Sequence, residues 1–267
     1  MTLPENRFKS WMQSPPARPP LGSWLMAASP ITAEAMGWAG FDWLVVDMEH
    51  TPIDLPTVTA MLQAVAGTPA EAVVRVPWND AVTVKRVMDA GARTLMFPFV
   101  QSAEEARRAV AATRYPPEGV RGVAGMHRGS RFGTIPDYVT RANAQVAVII
   151  QLETPEAVAA LPEIAAVAGV DAVFTGPSDL SAAMGHPGAA GHAEVQAALR
   201  AAAAEARRLG IPCGIVGGDV ATVQGFMEDG FSFVAIGSDL AHMMGAARRA
   251  LADLRAEAPA PAAGTAY

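Results

Sequence analysis

The sequence predicts a single (β/α)8 barrel, in which eight parallel strands alternate with helices. Its 267 residues are ordinary for this architecture, which typically takes about 250. Short, continuous apolar runs alternate with longer, alanine-rich amphipathic stretches, as expected when parallel strands are buried on both faces and helices cover them. Eight such units close into a barrel. The alternative, an open doubly wound sheet, is disfavoured because no GxGxxG motif follows any strand.

The individual elements follow from apolar runs and from helix start and stop residues. The strands are predicted at 21–26, 42–48, 72–76, 93–98, 146–152, 170–175, 211–216 and 231–236. The helices are predicted near 30–39, 54–66, 80–90, 102–113, 154–168, 192–209, 219–229 and 239–256. Residues that favour a first helical turn are Pro30, Asp54, Ser102, Thr154 with Pro155, and Asp219. Glycines that favour helix ends are Gly40, Gly67, Gly91, Gly169, Gly210 and Gly230.

Three segments fall outside this alternation. Residues 1–20 are polar and proline-rich and are predicted to form an N-terminal arm, residues 21–256 the barrel, and residues 257–267 a flexible tail. The stretch 114–144 is long for a loop inside a compact domain. Because it follows a helix, it is expected at the face where the strands begin. Its basic residues predict a folded excursion that binds anions at a contact between subunits; they are Arg121, His127, Arg128 and Arg131.

Composition excludes several classes of protein. Hydrophobic residues make up 51% of the chain and charged residues 17%, so a large core is expected and disorder is not. The net charge of −6 gives no reason to bind nucleic acid or an anionic membrane surface. No apolar run is long enough to span a bilayer, and the N-terminus lacks the apolar segment of a signal peptide. The single cysteine, Cys213, is expected in the core and agrees with a reducing cytoplasm.

Polar side chains interrupt the apolar pattern where several strands end. These are Asp47, Glu49 and His50 after the second strand, Arg75 at the end of the third, Gln151 and Glu153 at the fifth, and GPSDLS (176–181) after the sixth. The catalytic face of a barrel is built from the C-terminal ends of its strands. We therefore expect these side chains to meet on one rim.

Two of these residues suit a divalent cation. Glu153 and Asp179 are hard oxygen donors from adjacent strands, and together they leave coordination positions for water and substrate. Carboxylates without histidine ligands favour Mg²⁺ or Mn²⁺, and leave Co²⁺ and Zn²⁺ open.

The other residues suit an anionic substrate and proton transfer. Arg75 presents a planar fork that fits a carboxylate. Histidine side chains change charge near neutral pH, so His50 can act as a general base, with Asp47 or Glu49 to orient it. The turn after the sixth strand leads into a short helix whose N–H groups can take a carboxylate or enolate oxygen; its residues are Gly176, Pro177, Ser178 and Asp179.

Each of these residues also has a structural explanation. Glu153 could cap the following helix, and Asp179 could be an acidic residue in a first helical turn. His50 could be structural, and Arg75 could pair with an acidic neighbour. The convergence of all four on one rim favours a site.

At these residues the chain resembles the metal-dependent 2-oxo acid aldolases of the HpcH/HpaI family, typified by 4-hydroxy-2-oxoheptanedioate aldolase. The resemblance runs from about residue 21 to residue 255. It is carried by GFDWLVVDMEH (40–50), VVRVPWND (73–80), RYPPEGVRGV (114–123), QLETPEA (151–157) and VFTGPSDLSAAMG (173–185).

The resemblance implies a barrel that assembles as a trimer or as a hexamer of two trimers, with the last helix exchanged between neighbours. It implies that Glu153 and Asp179 bind the metal and that Arg75 assists the oxygen and carboxylate of pyruvate. It further implies that His50 is the base, acting through water, with Asp89 as its partner.

Two further roles come from the resemblance. Gln151 would be a partner of metal-bound water, and Ser178 a backbone donor to the pyruvate carboxylate. Asp89 ends a helix before the fourth strand, so it is expected on the opposite side of the barrel, or within reach of His50 only across a subunit boundary. The alternative for Asp89 is a structural residue at a helix end.

The resemblance implies reversible cleavage of a 4-hydroxy-2-oxo acid to pyruvate and an aldehyde, such as succinate semialdehyde, through a metal-stabilised pyruvate enolate. Met48 stands where the family often has glycine, Ser178 where it often has alanine, and the segment 124–129 is one residue short; these departures concern the choice of aldehyde. The alternatives are a related lyase or decarboxylase acting on oxaloacetate or a citramalyl-type substrate, and a non-catalytic barrel that binds 2-oxo acids.

Overall fold

The computed structural model describes residues 2–255 and shows a closed barrel of eight parallel strands in chain order. The strands are Leu21–Leu25 (β1), Trp43–Asp47 (β2), Glu71–Arg75 (β3), Thr94–Phe97 (β4), Ala147–Leu152 (β5), Ala172–Thr175 (β6), Cys213–Gly217 (β7) and Phe233–Ser238 (β8). β8 pairs back with β1, which closes the sheet. The predicted fold class is confirmed, and the predicted tail at 257–267 lies outside the described residues.

The helices surround the barrel and match the predicted segments closely. They are Arg7–Gln13 (α1), Pro30–Trp38 (α2), Leu55–Val65 (α3), Ala81–Asp89 (α4), Ala103–Thr113 (α5), Tyr138–Arg141 (α6), Pro155–Ala159 (α7), Leu161–Ala165 (α8), Pro177–Ala183 (α9), Ala193–Leu209 (α10), Val220–Asp229 (α11) and Asp239–Arg255 (α12). The single helix predicted at 154–168 is two short helices, α7 and α8. The second has a proline, Pro162, in its first turn, where a missing N–H does no harm.

Side-chain caps explain why the helices begin where they do. Asp54 accepts a hydrogen bond from the N–H of Thr57, and Ser102 accepts one from Glu105. Each cap satisfies one of the N–H groups that a first helical turn leaves unpaired. Gly210 and Gly230 end α10 and α11 in the left-handed conformation, which glycine adopts without steric cost.

The barrel interior is filled by aromatic side chains. Trp43 packs edge-on to Phe233 at 5.6 Å, and Trp24 packs against Phe174 at 5.5 Å. Gly22 allows this packing, because a Cβ at that position would lie 2.3 Å from the Trp43 ring. Cys213 is buried, as predicted, and burial raises the pKa of its thiol to about 12.

The predicted N-terminal arm contains a helix, α1, which is absent from the predicted elements. Helix α1 begins at an Asn6 cap and buries Phe8 and Met12. Phe8 is fully buried and contacts Trp43 at 5.7 Å and Phe233 at 5.5 Å, so α1 covers the end of the barrel where the strands begin. The signal was present in the sequence, since an Asn cap precedes apolar residues at helical spacing.

Among residues 2–255, no helix has both the length and the apolar character that a membrane span requires.

Candidate active site

The rim at the C-terminal ends of β2 and β3 is organised by a buried ion pair. Asp47 and Arg75 are register partners in adjacent strands and are fully buried. Arg75 donates from Nε to Asp47 Oδ1 at 2.9 Å and from Nη2 to Oδ2 at 2.7 Å. The planar fork of Arg75, predicted to fit a substrate carboxylate, is bound to Asp47, so the alternative of an acidic neighbour is correct. Nη1, the third nitrogen, lies 2.9 Å from Glu49 Oε2.

Asp47 also shapes the turn that carries the candidate base. Its Oδ1 accepts the N–H groups of Glu49 at 3.0 Å and His50 at 3.4 Å. His50 has 46% of its side chain exposed, and its Nε2 lies 3.7 Å from Glu49 Oε1. Of the two carboxylates expected to orient His50, Glu49 lies beside its ring, whereas Asp47 contacts the backbone of the turn.

Glu153 follows β5 and points into the rim. It is 2% exposed; its Oε2 accepts the N–H of Phe99 at 2.8 Å, and its Oε1 accepts Nε2 of Gln151 at 2.8 Å. It does not cap the next helix, because Thr154 is the N-cap of α7. The alternative explanation of Glu153 is therefore wrong.

The turn after β6 brings Asp179 to the same rim. Gly176 precedes α9, and a Cβ on it would lie 2.6 Å from Glu153 Oε1, so this position requires glycine. Asp179 lies in the first turn of α9 and is half-buried. Gly176 and Pro177 are buried, and Ser178 is half-buried.

Burial and neighbouring charges raise the pKa of two carboxyls on this rim, Glu153 and Glu49. Burial raises the pKa of Glu153 to about 7; the Phe99 N–H opposes that shift, and the charges of Glu49 and Asp179 add to it. Burial also raises the pKa of Glu49, against the attraction of Arg75 and His50, while Asp47 and Asp179 raise it further. The site therefore holds more negative charge than its own cations neutralise.

A divalent cation fits this donor set. Glu153 and Asp179 are hard oxygen ligands, and a cation would offset both the burial and the repulsion that raise the Glu153 pKa. Gln151 Oε1 is buried and has no hydrogen-bond partner among the described residues, so it can accept from a bound water or substrate.

Asp89 is the predicted site residue that the structure does not bring to His50. It ends α4, at the face where the strands begin, and its Oδ1 accepts from Arg121 Nη2 at 2.7 Å. His127 Nε2 lies 3.8 Å from the same oxygen. Within one chain, these contacts agree with the alternative prediction that Asp89 is a structural residue at a helix end.

The basic segment at 121–131 is a folded excursion at that same face, as predicted. Its anion-binding role is not supported for two of its arginines. Arg121 is 2% exposed, pairs with Asp89 and lies over the ring of Tyr115 at 4.3 Å. Arg128 donates to the carbonyls of Ala90 and Leu62.

Two residues of the rim were not predicted from the sequence. The backbone N–H of Phe99 holds Glu153, and Phe99 adopts a left-handed backbone with φ of 54°. Trp24 lies under the Arg75 guanidinium at 5.7 Å. The prediction relied on polar side chains at strand ends, and neither a backbone N–H nor a core tryptophan appears in that pattern.

The fold and the rim together define a barrel enzyme with a carboxylate cluster, a buried arginine and a solvent-accessible histidine. Residues 21–246 match the family model described as HpcH/HpaI aldolase/citrate lyase. The chain belongs to this family and is a lyase of the aldolase type.

Two relatives and one solved structure are closely similar. The chain is 49% identical to 2-dehydro-3,6-dideoxy-6-sulfogluconate aldolase from Pseudomonas putida, over 93% of this chain and 97% of that protein. It is 47% identical to 5-keto-4-deoxy-D-glucarate aldolase from Salmonella arizonae, over 88% and 91%. A crystal structure of a family member from Burkholderia cenocepacia J2315 superposes with a TM-score of 0.91 at 42% identity, covering 94% of this chain and 99% of the other.

The comparisons confirm the family and the enzyme class that the motifs predicted. Both named relatives are aldolases, and neither is a 4-hydroxy-2-oxoheptanedioate aldolase. The particular substrate suggested by the resemblance is therefore not confirmed.

Proposed function

We propose that this protein catalyses reversible aldol cleavage of an acidic 4-hydroxy-2-oxo acid to pyruvate and an aldehyde, with a divalent cation held by Glu153 and Asp179. The observation that carries the proposal is the placement of a buried, strongly perturbed Glu153 on the same rim as Arg75 and His50. Perturbed carboxylates of this kind concentrate at functional sites. The bound cation, Mg²⁺, Mn²⁺, Co²⁺ or Zn²⁺, would supply Lewis-acid polarisation of the 2-oxo acid.

His50 transfers a proton and Arg75 stabilises negative charge in the proposed reaction. His50 reaches solvent and takes the proton of the substrate's C4 hydroxyl through a water, with Glu49 beside the ring to orient it. The C4 hydroxyl then becomes the aldehyde carbonyl, the C3–C4 bond breaks, and its electrons pass to the pyruvate half, which takes a proton at C3. Arg75 supplies a fixed positive charge to that half, because Asp47 and Glu49 hold it in place.

The relatives favour a sugar-acid substrate with a second acidic group. One acts on a sulfonated substrate and the other on a substrate with a glucarate skeleton, by their names. We propose a substrate of this class in preference to 4-hydroxy-2-oxoheptanedioate, which carries no additional hydroxyl groups.

The test is pyruvate release, read with lactate dehydrogenase, after EDTA treatment and after adding each metal. Three substrates are compared: the two named by the relatives and 4-hydroxy-2-oxoheptanedioate. We expect activity to require metal and kcat/KM to be highest on a sugar acid. Absence of pyruvate from all three with every metal would refute the proposal.

Variants separate the roles of the carboxylates. Glu153→Ala and Asp179→Ala should abolish metal-dependent turnover, whereas Glu156→Ala, an exposed glutamate three residues along the chain, should leave it unchanged. Near-normal activity in either of the first two variants would overturn the assignment of the metal ligands.

We further propose that the protein is a homo-oligomer, a trimer or a hexamer, in which α12 packs against a second copy. Asp239 is the buried residue of this 17-residue helix. The helix exposes Leu240, Met243, Met244, Leu251 and Leu254. An apolar surface of this kind is typical of an interface. Light scattering should give an oligomeric mass for the native protein and a smaller one for Met243→Glu with Leu251→Glu; a monomeric native protein would refute the proposal.

A further inference from the structure

The loop between α9 and α10, together with the first turn of α10, brings together two histidines and a glutamate, none of which is among the residues assigned above. Residues 2–255 contain one cluster in which three side chains of the types that bind metals have ligand atoms within 4.8 Å of one another. Its members are His186, His192 and Glu194. His186 Nε2 lies 2.9 Å from Glu194 Oε2, and the two imidazole rings stack at 3.6 Å with planes 17° apart.

Hydrogen bonds hold the backbone that carries these side chains in place before any ligand binds. The N–H of His186 donates to Ser181 O at 2.8 Å, which ties the loop to the end of α9. The N–H of Ala189 then donates to His186 O, and that of His192 to Ala189 O, in successive turns that lead into α10. A site whose ligands sit on a fixed backbone loses little freedom on binding a metal.

The donor set differs in kind from the carboxylates of the active site. Imidazole nitrogen suits Zn²⁺, Co²⁺ and Ni²⁺, whereas carboxylate oxygen alone suits Mg²⁺ and Mn²⁺. We propose that His186, His192 and Glu194 form a second metal site that binds an imidazole-preferring divalent cation and fastens the loop that follows α9.

Binding requires a small, local rearrangement. Two ligands of one zinc ion lie about 4 Å apart at most, since each bond is about 2 Å. The ligand atoms of this cluster lie within 4.8 Å of one another, so binding one ion takes shifts of less than about 1 Å and a tilt of the stacked rings. His192 and Glu194 are exposed and His186 is half-buried, so their side chains can rotate without disturbing the core.

The experiment uses the full chain with the active-site ligands removed, Glu153→Ala with Asp179→Ala. Equilibrium dialysis of this variant against Zn²⁺, Co²⁺ or Ni²⁺ should show about one equivalent per chain, and against Mg²⁺ none. The same ions should raise its melting temperature, because they bind the folded state. Adding His186→Ala and His192→Ala should remove both effects, and Glu194→Gln should weaken binding while Glu156→Gln, an exposed glutamate in another first helical turn, does not.

Two outcomes would overturn the proposal: no Zn²⁺ binding to the variant that lacks Glu153 and Asp179, or binding that persists undiminished without both histidines. Circular dichroism establishes that each variant is folded. In the otherwise native chain, His186→Ala with His192→Ala should leave Mg²⁺-dependent activity unchanged, which separates this site from the proposed catalytic one.

Discussion

Replacing Glu153 with glutamine keeps the shape of the side chain and removes its ionisation. The substitution therefore measures how much the buried charge lowers the free energy of unfolding of the metal-free protein. Burial raises the pKa of Glu153 from 4.5 to about 7. A raised pKa means that the folded state favours the neutral carboxyl. The stability associated with that neutral form is fully present below pH 4.5 and is lost as the pH rises through about 7. Above pH 7, the ionised carboxylate therefore lowers the free energy of unfolding by about 3 kcal/mol relative to its value at low pH.

The glutamine also changes two hydrogen bonds. Glu153 accepts one hydrogen bond on each carboxylate oxygen, from the Phe99 N–H and from Gln151 Nε2. A glutamine amide has a single acceptor oxygen, so it can keep only one of these two bonds. The lost hydrogen bond costs about 1 kcal/mol. Without metal, we therefore expect Glu153→Gln to be more stable than the native protein by about 2 kcal/mol at pH 8, and the two to be nearly equal at pH 5.

Urea unfolding of both proteins in EDTA, at pH 5 and pH 8, measures this difference. Addition of Mg²⁺ or Mn²⁺ at pH 8 should then stabilise the native protein much more than the variant, because the cation needs the carboxylate. A variant that is equally stable or less stable at pH 8 without metal would refute the argument that Glu153 is held in a site built for a cation.

Three further predictions follow from the same geometry. Metal affinity should fall about tenfold per pH unit below pH 7, because a proton competes for Glu153; isothermal titration at three pH values measures this, and a flat profile would contradict it. His50→Asn should lower kcat by about 10²–10⁴-fold while leaving metal affinity unchanged, and a loss of metal binding instead would make His50 structural. Phe8→Ala should destabilise the protein by about 3–5 kcal/mol in urea unfolding, since Phe8 is fully buried at the end of the barrel, and a cost below about 1 kcal/mol would show that α1 is peripheral.

The sequence could predict whatever depends on local pattern. The strands are apolar on both faces because parallel strands in a barrel are covered on both sides, and this pattern located all eight. Polar residues at strand ends stand out against that background, so Glu153, Asp179, Arg75 and His50 can be selected as candidate site residues from the sequence alone. The break between α7 and α8 and the helix α1 were missed because each is short and depends on packing.

Tertiary structure alone decided which partners these residues have. The sequence placed Asp47 and Arg75 on adjacent strands, but only the register of β2 against β3 makes them a bidentate pair and so leaves Glu49 beside His50. The raised pKa of Glu153 depends on burial and on charges from other strands, and the meeting of His186, His192 and Glu194 depends on a particular series of turns. Periodicity reports which face of an element is buried, whereas distances between side chains on different elements arise only when the barrel closes.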